Sequence, residues 1–228
     1  MRLPICAPLN KLLDGGLETG CLTNFYGPAG TGKSNIALAA AIAAVRSGKR
    51  VAFIDTEGGF SIERLTQMCN GTTNAVTDNI ILLKPHDWDS QKETIRKLEK
   101  ICAKENIGLI VIDSLVALWR IAVTEMNATE VNRELATQLS ILANIARNRD
   151  IPVLVTNQVY ADITTGKIEM SARNIVKWWS KNIIELSHAG RSGIRIATIR
   201  KARSQPEDKS VEFEITQNGL REPRFRLF

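Results

Sequence analysis

The chain has 228 residues, 44% hydrophobic and 24% charged, which excludes global disorder and allows a core without disulfide staples. Its longest unbroken apolar run, Ile36 to Val45, is half the ~20 residues a bilayer span needs. The net charge of +6 is concentrated late: residues 1–159 hold 17 Lys and Arg against 16 Asp and Glu, residues 160–228 hold 13 against 8.

Taken in chain order, β-branched runs alternate with helical stretches. Leu22–Tyr26 reads as a strand and Gly32–Ser47 as an alanine-rich helix. Arg50–Asp55 is a strand, Ser61–Asn70 a helix and Asn79–Leu83 a strand. Ser90 with Glu93 forms a capping box opening a helix to about Glu105. Leu109–Asp113 is a strand; Asn127 with Glu130 caps a long helix to about Asn148, and Pro152–Asn157 is the next strand. Apolar strands alternating with helices predict a parallel sheet covered on both faces. Beyond Asp162 the pattern changes. Thr164–Arg173 reads as a loop, and Asn182–Ser187, Ile194–Arg200 and Val211–Thr216 as three strands forming an antiparallel extension. No linker divides the chain.

Gly27-Pro28-Ala29-Gly30-Thr31-Gly32-Lys33-Ser34 matches the phosphate-binding pattern G-x4-G-K-[ST], between a strand and a helix. Glycines let successive N–H groups turn toward phosphate oxygens, and the helix adds its positive end. Lys33 then reaches the terminal phosphates and Ser34 ligates Mg²⁺. Asp113 ends an apolar strand, where the carboxylates of a parallel sheet face the ligand crevice, and is the second Mg²⁺ residue. Glu57, two residues past the Arg50–Asp55 strand, is placed to orient or deprotonate an attacking water. Cys6, Cys21, Cys69 and Cys102 are too far apart for a CxxC pair, and His86 and His188 stand alone. They read as ordinary buried or partly buried thiols and isolated imidazoles. The basic last third suits a polyanion, most simply nucleic acid, or serves as a solvated face. The start, Met1-Arg2-Leu3-Pro4, has no secretory h-region, so a cytoplasmic protein is expected.

Gly27–Ser34, Phe53-Ile54-Asp55-Thr56-Glu57, Leu109–Ser114 and Thr156-Asn157-Gln158-Val159 together resemble the RecA/RadA recombinase family, in particular its archaeal paralogues. The resemblance runs from about Leu9 to about Phe228. It implies an α/β, RecA-like P-loop ATPase core, with a mostly parallel central sheet, helices on both faces and an antiparallel C-terminal extension. Residues 1–228 would form one core domain without the helical N-terminal DNA-binding domain of full-length members. ATP and Mg²⁺ are the implied cofactors, with Gly27, Pro28, Ala29, Gly30, Thr31, Gly32, Lys33 and Ser34 around the phosphates. The catalytic set is Glu57, which activates water, Lys33, and Gln158, which senses the γ-phosphate. Arg64 resembles the arginine that lies against adenine, as a planar guanidinium can.

The stretches Trp119–Asn127 and Asp162–Lys181 match the two DNA-facing loops of the family. They offer Arg120, Lys167, Arg173, Lys177 and Lys181 for DNA, with Trp178 and Trp179 either stacking on bases or entering the core. Lys201, Arg203 and Pro206 resemble the segment laid over a neighbouring subunit's ATP. The P-loop begins after only 26 residues, no Phe-x-x-Ala tether precedes it, and the loop after Gln158 is short. The expectation is therefore an accessory recombinase paralogue in DNA repair and recombination, a weak DNA-associated ATPase without strand exchange of its own. Its implied partners are single-stranded or branched DNA, the main RadA-type recombinase and a Holliday-junction resolvase, with weak self-association and no membrane. The alternative is a KaiC-like signalling ATPase acting on proteins.

Overall fold

The computed structural model describes residues 1–161 and 168–224. The elements, in order, are β1 (Arg2–Leu3), α1 (Ala7–Leu12), β2 (Leu17–Glu18), β3 (Leu22–Tyr26), α2 (Lys33–Arg46), β4 (Arg50–Asp55) and α3 (Ile62–Cys69). Next come α4 (Thr73–Thr77), β5 (Ile80–Leu83), α5 (Trp88–Lys104), β6 (Ile107–Asp113), α6 (Ala117–Glu125), α7 (Ala128–Arg149) and β7 (Val153–Asn157). The last are β8 (Val159–Ala161), β9 (Ile168–Met170), α8 (Arg173–Trp179), β10 (Asn182–His188), β11 (Ile194–Lys201), β12 (Ser210–Thr216) and β13 (Gly219–Arg221).

One nine-stranded sheet has the order β13-β12-β11-β10-β3-β7-β6-β4-β5. The six strands from β10 to β5 run parallel; β11, β12 and β13 continue antiparallel. The strands were predicted to have both faces covered, and side-chain alternation delivers this. Val51, Phe53, Leu109 and Val111 face one core with α2; Ala52, Ile54, Ile110 and Ile112 face the other with α5 and α7. All four cysteines are free, and burial pushes the thiols of Cys6 and Cys21 up to about 11 and about 12. Among the described residues no helix is long and apolar enough to cross a membrane.

Four expectations are corrected. The strand at Asn182 belongs to the parallel set, not to an antiparallel run. Helix α8 carries the chain back across the sheet, so β10 starts beside Thr23 and runs with β3. The segment after Asp113 folds largely as α6, pinned to α7 by the Trp119 indole N–H donating to Asn132 Oδ1 at 3.0 Å. Of the segment Asp162–Lys181 matched to the second DNA-facing loop, Ile168–Met170 pairs with β8 as a hairpin and Arg173–Trp179 is α8. The capping box of α5 lies one turn earlier than predicted: Asp87 accepts from the Ser90 N–H at 2.7 Å, and the Ser90 hydroxyl accepts from the Asp87 N–H at 3.1 Å.

Asn127 caps α7 as the sequence indicates, accepting from the N–H groups of Thr129 and Glu130 at 3.0 and 3.3 Å. Those amides have no partner inside the helix. Asn127→Ala is therefore expected to lower unfolding free energy by about 1 kcal/mol in chemical denaturation, with Asn127→Asp close to wild type.

Candidate nucleotide-binding site

The carboxyl-terminal edge of the parallel strands holds a concave site of about 410 Å³, lined by Gly30, Lys33, Ser34, Glu57, Asp113 and Gln158 among others. Its floor is the turn from β3 into α2. Gly30 and Gly32 take φ of +75° and +96°, left-handed values that glycine adopts without steric cost. At Gly27 a Cβ would fall 2.2 Å from the carbonyl oxygen of Leu186 on β10, so glycine is required there for close approach. Gly32 is the N-cap of α2 and offers no capping side chain. The first amides of α2 are thus left for an external acceptor, at the positive end of a 14-residue helix. The Lys33 ammonium folds back and donates to the carbonyls of Gly27 and Pro28 at 2.8 and 2.9 Å. Burial holds its pKa below the usual lysine value, opposed by the negative charges of Asp113 and Glu57. Uncapped amides beside a partly desolvated cation fit a phosphate chain.

Opposite the loop stand the carboxylates. Asp113 is 7% exposed at the tip of β6. Burial raises its pKa, while hydrogen bonds from the hydroxyls of Thr156 and Ser34 oppose the rise. Among the described residues no three His, Cys, Asp or Glu side chains cluster to hold a metal ion. A single carboxylate bonded to a P-loop hydroxyl instead fits Mg²⁺, which binds through one or two protein groups plus phosphate oxygens and water.

Glu57 owes its place to its neighbours. Asp55 accepts from the N–H groups of Gly59 and Phe60, both at 3.0 Å, and so shapes the loop after β4. The Thr56 hydroxyl donates to the Ser114 carbonyl at 2.7 Å and accepts from the Ser114 N–H at 3.0 Å, tying that loop to the end of β6. Glu57 Oε1 then accepts from the Ser114 hydroxyl and from Gln158 Nε2, the latter at 2.7 Å. Arg120 on α6 donates to Gln158 Oε1 at 2.7 Å. The chain Glu57–Gln158–Arg120 leads from the nucleotide-sized site into a second cavity of about 1120 Å³ between α6 and α8.

The other predicted residues divide in position. Arg64 lies at the margin of the site, donating to Asn35 Oδ1 at 2.6 Å and to the carbonyls of Thr216 and Gln217 at 2.8 Å each. Arg173 donates to both oxygens of Glu169 at 2.9 and 2.7 Å. Lys177 and Lys181 lie at the end of α8, away from Glu57 and Gln158. Trp178 is 78% exposed, whereas Trp179 is half-buried against the core. Lys201 donates to the carbonyls of Lys177 and Ser180 at 2.7 and 2.8 Å, Arg203 faces Glu18 at 3.4 Å, and Pro206 is exposed in the β11–β12 turn. Lys167 lies outside the described residues. Two neighbours of the P-loop escape a sequence reading: Arg195, whose Nε donates to the Gly30 carbonyl at 2.8 Å, and His188, whose ring lies 3.7 Å from where a Gly30 Cβ would sit. Both come from strands 150 residues or more downstream, and no local pattern marks them.

A glycine loop between a central strand and its helix, faced by an acidic strand tip in a sheet of this order, defines a RecA-like P-loop core. The Rad51 family model matches residues 5–223. The DNA repair and recombination protein RadB of Methanococcoides burtonii is 40% identical over 220 residues, 96% of each chain. Its namesake from Methanobrevibacter smithii is 38% identical over 224 residues, covering 96% of this chain and 95% of the relative. A solved structure, described as the crystal structure of the RadB recombinase, superposes with a TM-score of 0.85 at 36% identity, over 96% of this chain and 98% of that one. The chain belongs to the RadB group of DNA repair and recombination proteins within the Rad51 family.

The Asp113 geometry yields a prediction. Its folded pKa lies above the ordinary 3.8, so ionising it in the folded chain costs stability as pH rises from 3.8 through the folded value. Asp113→Asn removes that cost and keeps an acceptor for Thr156. The ligand-free variant should melt a few degrees above wild type at pH 7, and the gap should close as pH falls toward 4, read by calorimetry across that range.

Proposed function

We propose that this chain is an ATP- and DNA-binding recombinase paralogue that assists DNA repair and homologous recombination in the cytoplasm, hydrolysing ATP weakly and performing no strand exchange of its own. The supporting observation is the confrontation, across one small cavity, of Lys33 and the uncapped start of α2 with Asp113 and Glu57. ATP with Mg²⁺ supplies the transferable phosphoryl group and the charge that balances it.

Lys33 would exchange its two carbonyl acceptors for phosphate oxygens. Ser34 and Asp113 would hold the metal's protein side. Among the described residues Glu57 accepts both of its hydrogen bonds on Oε1, and Oε2 would orient a water molecule. Gln158 would report the state of the phosphate chain to Arg120 and α6. Arg64 and Asn35 border the place where a base would lie. The positions of Lys201 and Arg203 support the reading of weak turnover. They sit in and after β11, bonded to the end of α8 and to Glu18, and cannot reach the P-loop of their own chain. With Pro206 they could serve only a neighbouring subunit's nucleotide, so a solitary chain would have Lys33 and the metal ion but not these further cations to stabilise charge on the transferring phosphate. DNA contact draws on the basic last third, and the family's main recombinase is the natural protein partner.

Lys33→Ala is expected to abolish tight ATP binding in calorimetric titration; unchanged affinity would overturn the P-loop assignment. Single-stranded DNA titrated with ATP, with ADP and without nucleotide should give different affinities, because Gln158 joins the nucleotide-sized site to the larger cavity, which the start of α8 lines, and α8 carries on into the basic last third. Identical affinities in all three states would remove the proposed coupling.

A further inference from the structure

The cations that the sequence groups around one loop are distributed between two edges of the sheet. Arg120 and Arg173 lie on the P-loop side, and both are engaged, by Gln158 and by Glu169. Lys177 and Lys181 lie at the opposite edge. The Lys181 N–H donates to the Leu22 carbonyl at 3.0 Å, and Asn182 pairs with Thr23, near the start of the strand whose far end becomes the P-loop. The length of β3 sets the two edges about 13 Å apart.

Two further elements deliver cations to that distal edge. Helix α7 runs against the parallel strands and ends there with Arg147 in its last turn. Strand β11 is antiparallel to β10 and also ends there, at Lys201, whose ammonium clamps the carboxyl end of α8 through the Lys177 and Ser180 carbonyls. The clamp fixes a pair of indoles. Trp179 is held against the core, and Trp178 beside it projects outward with 78% exposure. Arg147, Lys177, Trp178, Lys181 and Lys201 share one shallow cavity of about 530 Å³. Arg147, Lys177 and Lys181 are exposed and form no ion pair among the described residues. Burial, then the like charges of Lys181 and Lys177, hold the Lys201 pKa below its usual value; the acids at this edge, Glu18 and Asp150, are bonded to Arg203 and Asn182 and to Thr19.

This arrangement selects its ligand. An apolar protein surface laid on Trp178 would desolvate three unpaired cations. A phosphodiester chain neutralises them and carries bases that stack on an indole. A duplex keeps its bases inside, so the matching form is single-stranded. We propose that Arg147, Lys177, Trp178 and Lys181 form a single-stranded DNA site at the edge of the sheet opposite the P-loop, with phosphates on the three cations and a base on the Trp178 ring. The proposal rests on the DNA-binding reading above and adds to it the location at the distal edge, the part played by Arg147 and the choice of Trp178 as the stacking residue.

The test uses the full chain and fluorescent oligo-dT, with affinity measured against salt concentration. Trp178→Ala should weaken binding about tenfold with little change in salt slope, and Trp178→Phe should recover most of the loss. The triple variant Arg147→Ala/Lys177→Ala/Lys181→Ala should reduce the slope by about 2. Oligo-dT should quench tryptophan emission in wild type and do so much less in Trp178→Ala, whose thermal melt should match wild type because the ring is exposed. Wild-type binding that survives both variants but is lost in Arg120→Ala/Arg173→Ala overturns the site while leaving DNA binding intact. A Trp178→Ala effect confined to self-association also overturns it. No wild-type DNA binding in any nucleotide state would instead sink the underlying reading of function.

Discussion

The arrangement depends on keeping a carboxylate charged where water hardly reaches. Asp113 ends a strand that is buried on both faces, and only two hydroxyls and the facing loop compensate it. Lys33 has the complementary difficulty, an ammonium drawn below its normal basicity and parked on carbonyls of its own loop. Neither group stabilises the folded chain as it stands. Each makes sense beside a polyphosphate and a divalent cation, which together supply the missing charges. Stability is conceded at one edge of the sheet, and the rest of the fold makes that tolerable: two apolar layers flank the strands, and polar side chains gather at the strand tips.

Much of this was legible because buried parallel strands leave a strong trace. Leu22–Tyr26 and Arg50–Asp55 have the bounds their apolar runs predict, and the P-loop motif falls in the turn where the chemistry wants it. What escaped lacks a local signature. Helix α6 begins at Val116, which cannot cap, and α8 begins after Ala172 in a left-handed conformation, so neither opens with a polar signal. Trp178 and Trp179, which the sequence leaves between stacking on bases and entering the core, diverge on α8, one outward and one inward. The direction of β10 depends on which way α8 returns the chain, a tertiary fact. The contacts of Arg195 with the P-loop and of Arg64 with residues 216 and 217 span more than 150 residues and arise only from sheet order.

The two edges of the sheet do different things with similar residue types. At the P-loop edge arginines are matched to acceptors: Arg120 to Gln158, Arg173 to Glu169 and Arg195 to Gly30. At the distal edge Arg147 of α7, Lys177 of α8, and Lys181 just before β10 gather around Trp178 without forming ion pairs among the described residues. Helix α8 joins the two regions, because Arg173 at its start lines the larger cavity while Lys177 and Trp178 at its end line the distal one. A rigid shift of this two-turn helix would be felt at both ends.

The Arg64 bonds to the Thr216 and Gln217 carbonyls, together with the packing of Ile215 against Gly32, carry a consequence for how the molecule is made. The glycine loop leaves the ribosome well before the strand that buttresses it. Until β12 has been synthesised and has docked, the cradle has one side open and Arg64 has no carbonyls to grip. The cradle therefore closes only after β12 has been made and has docked.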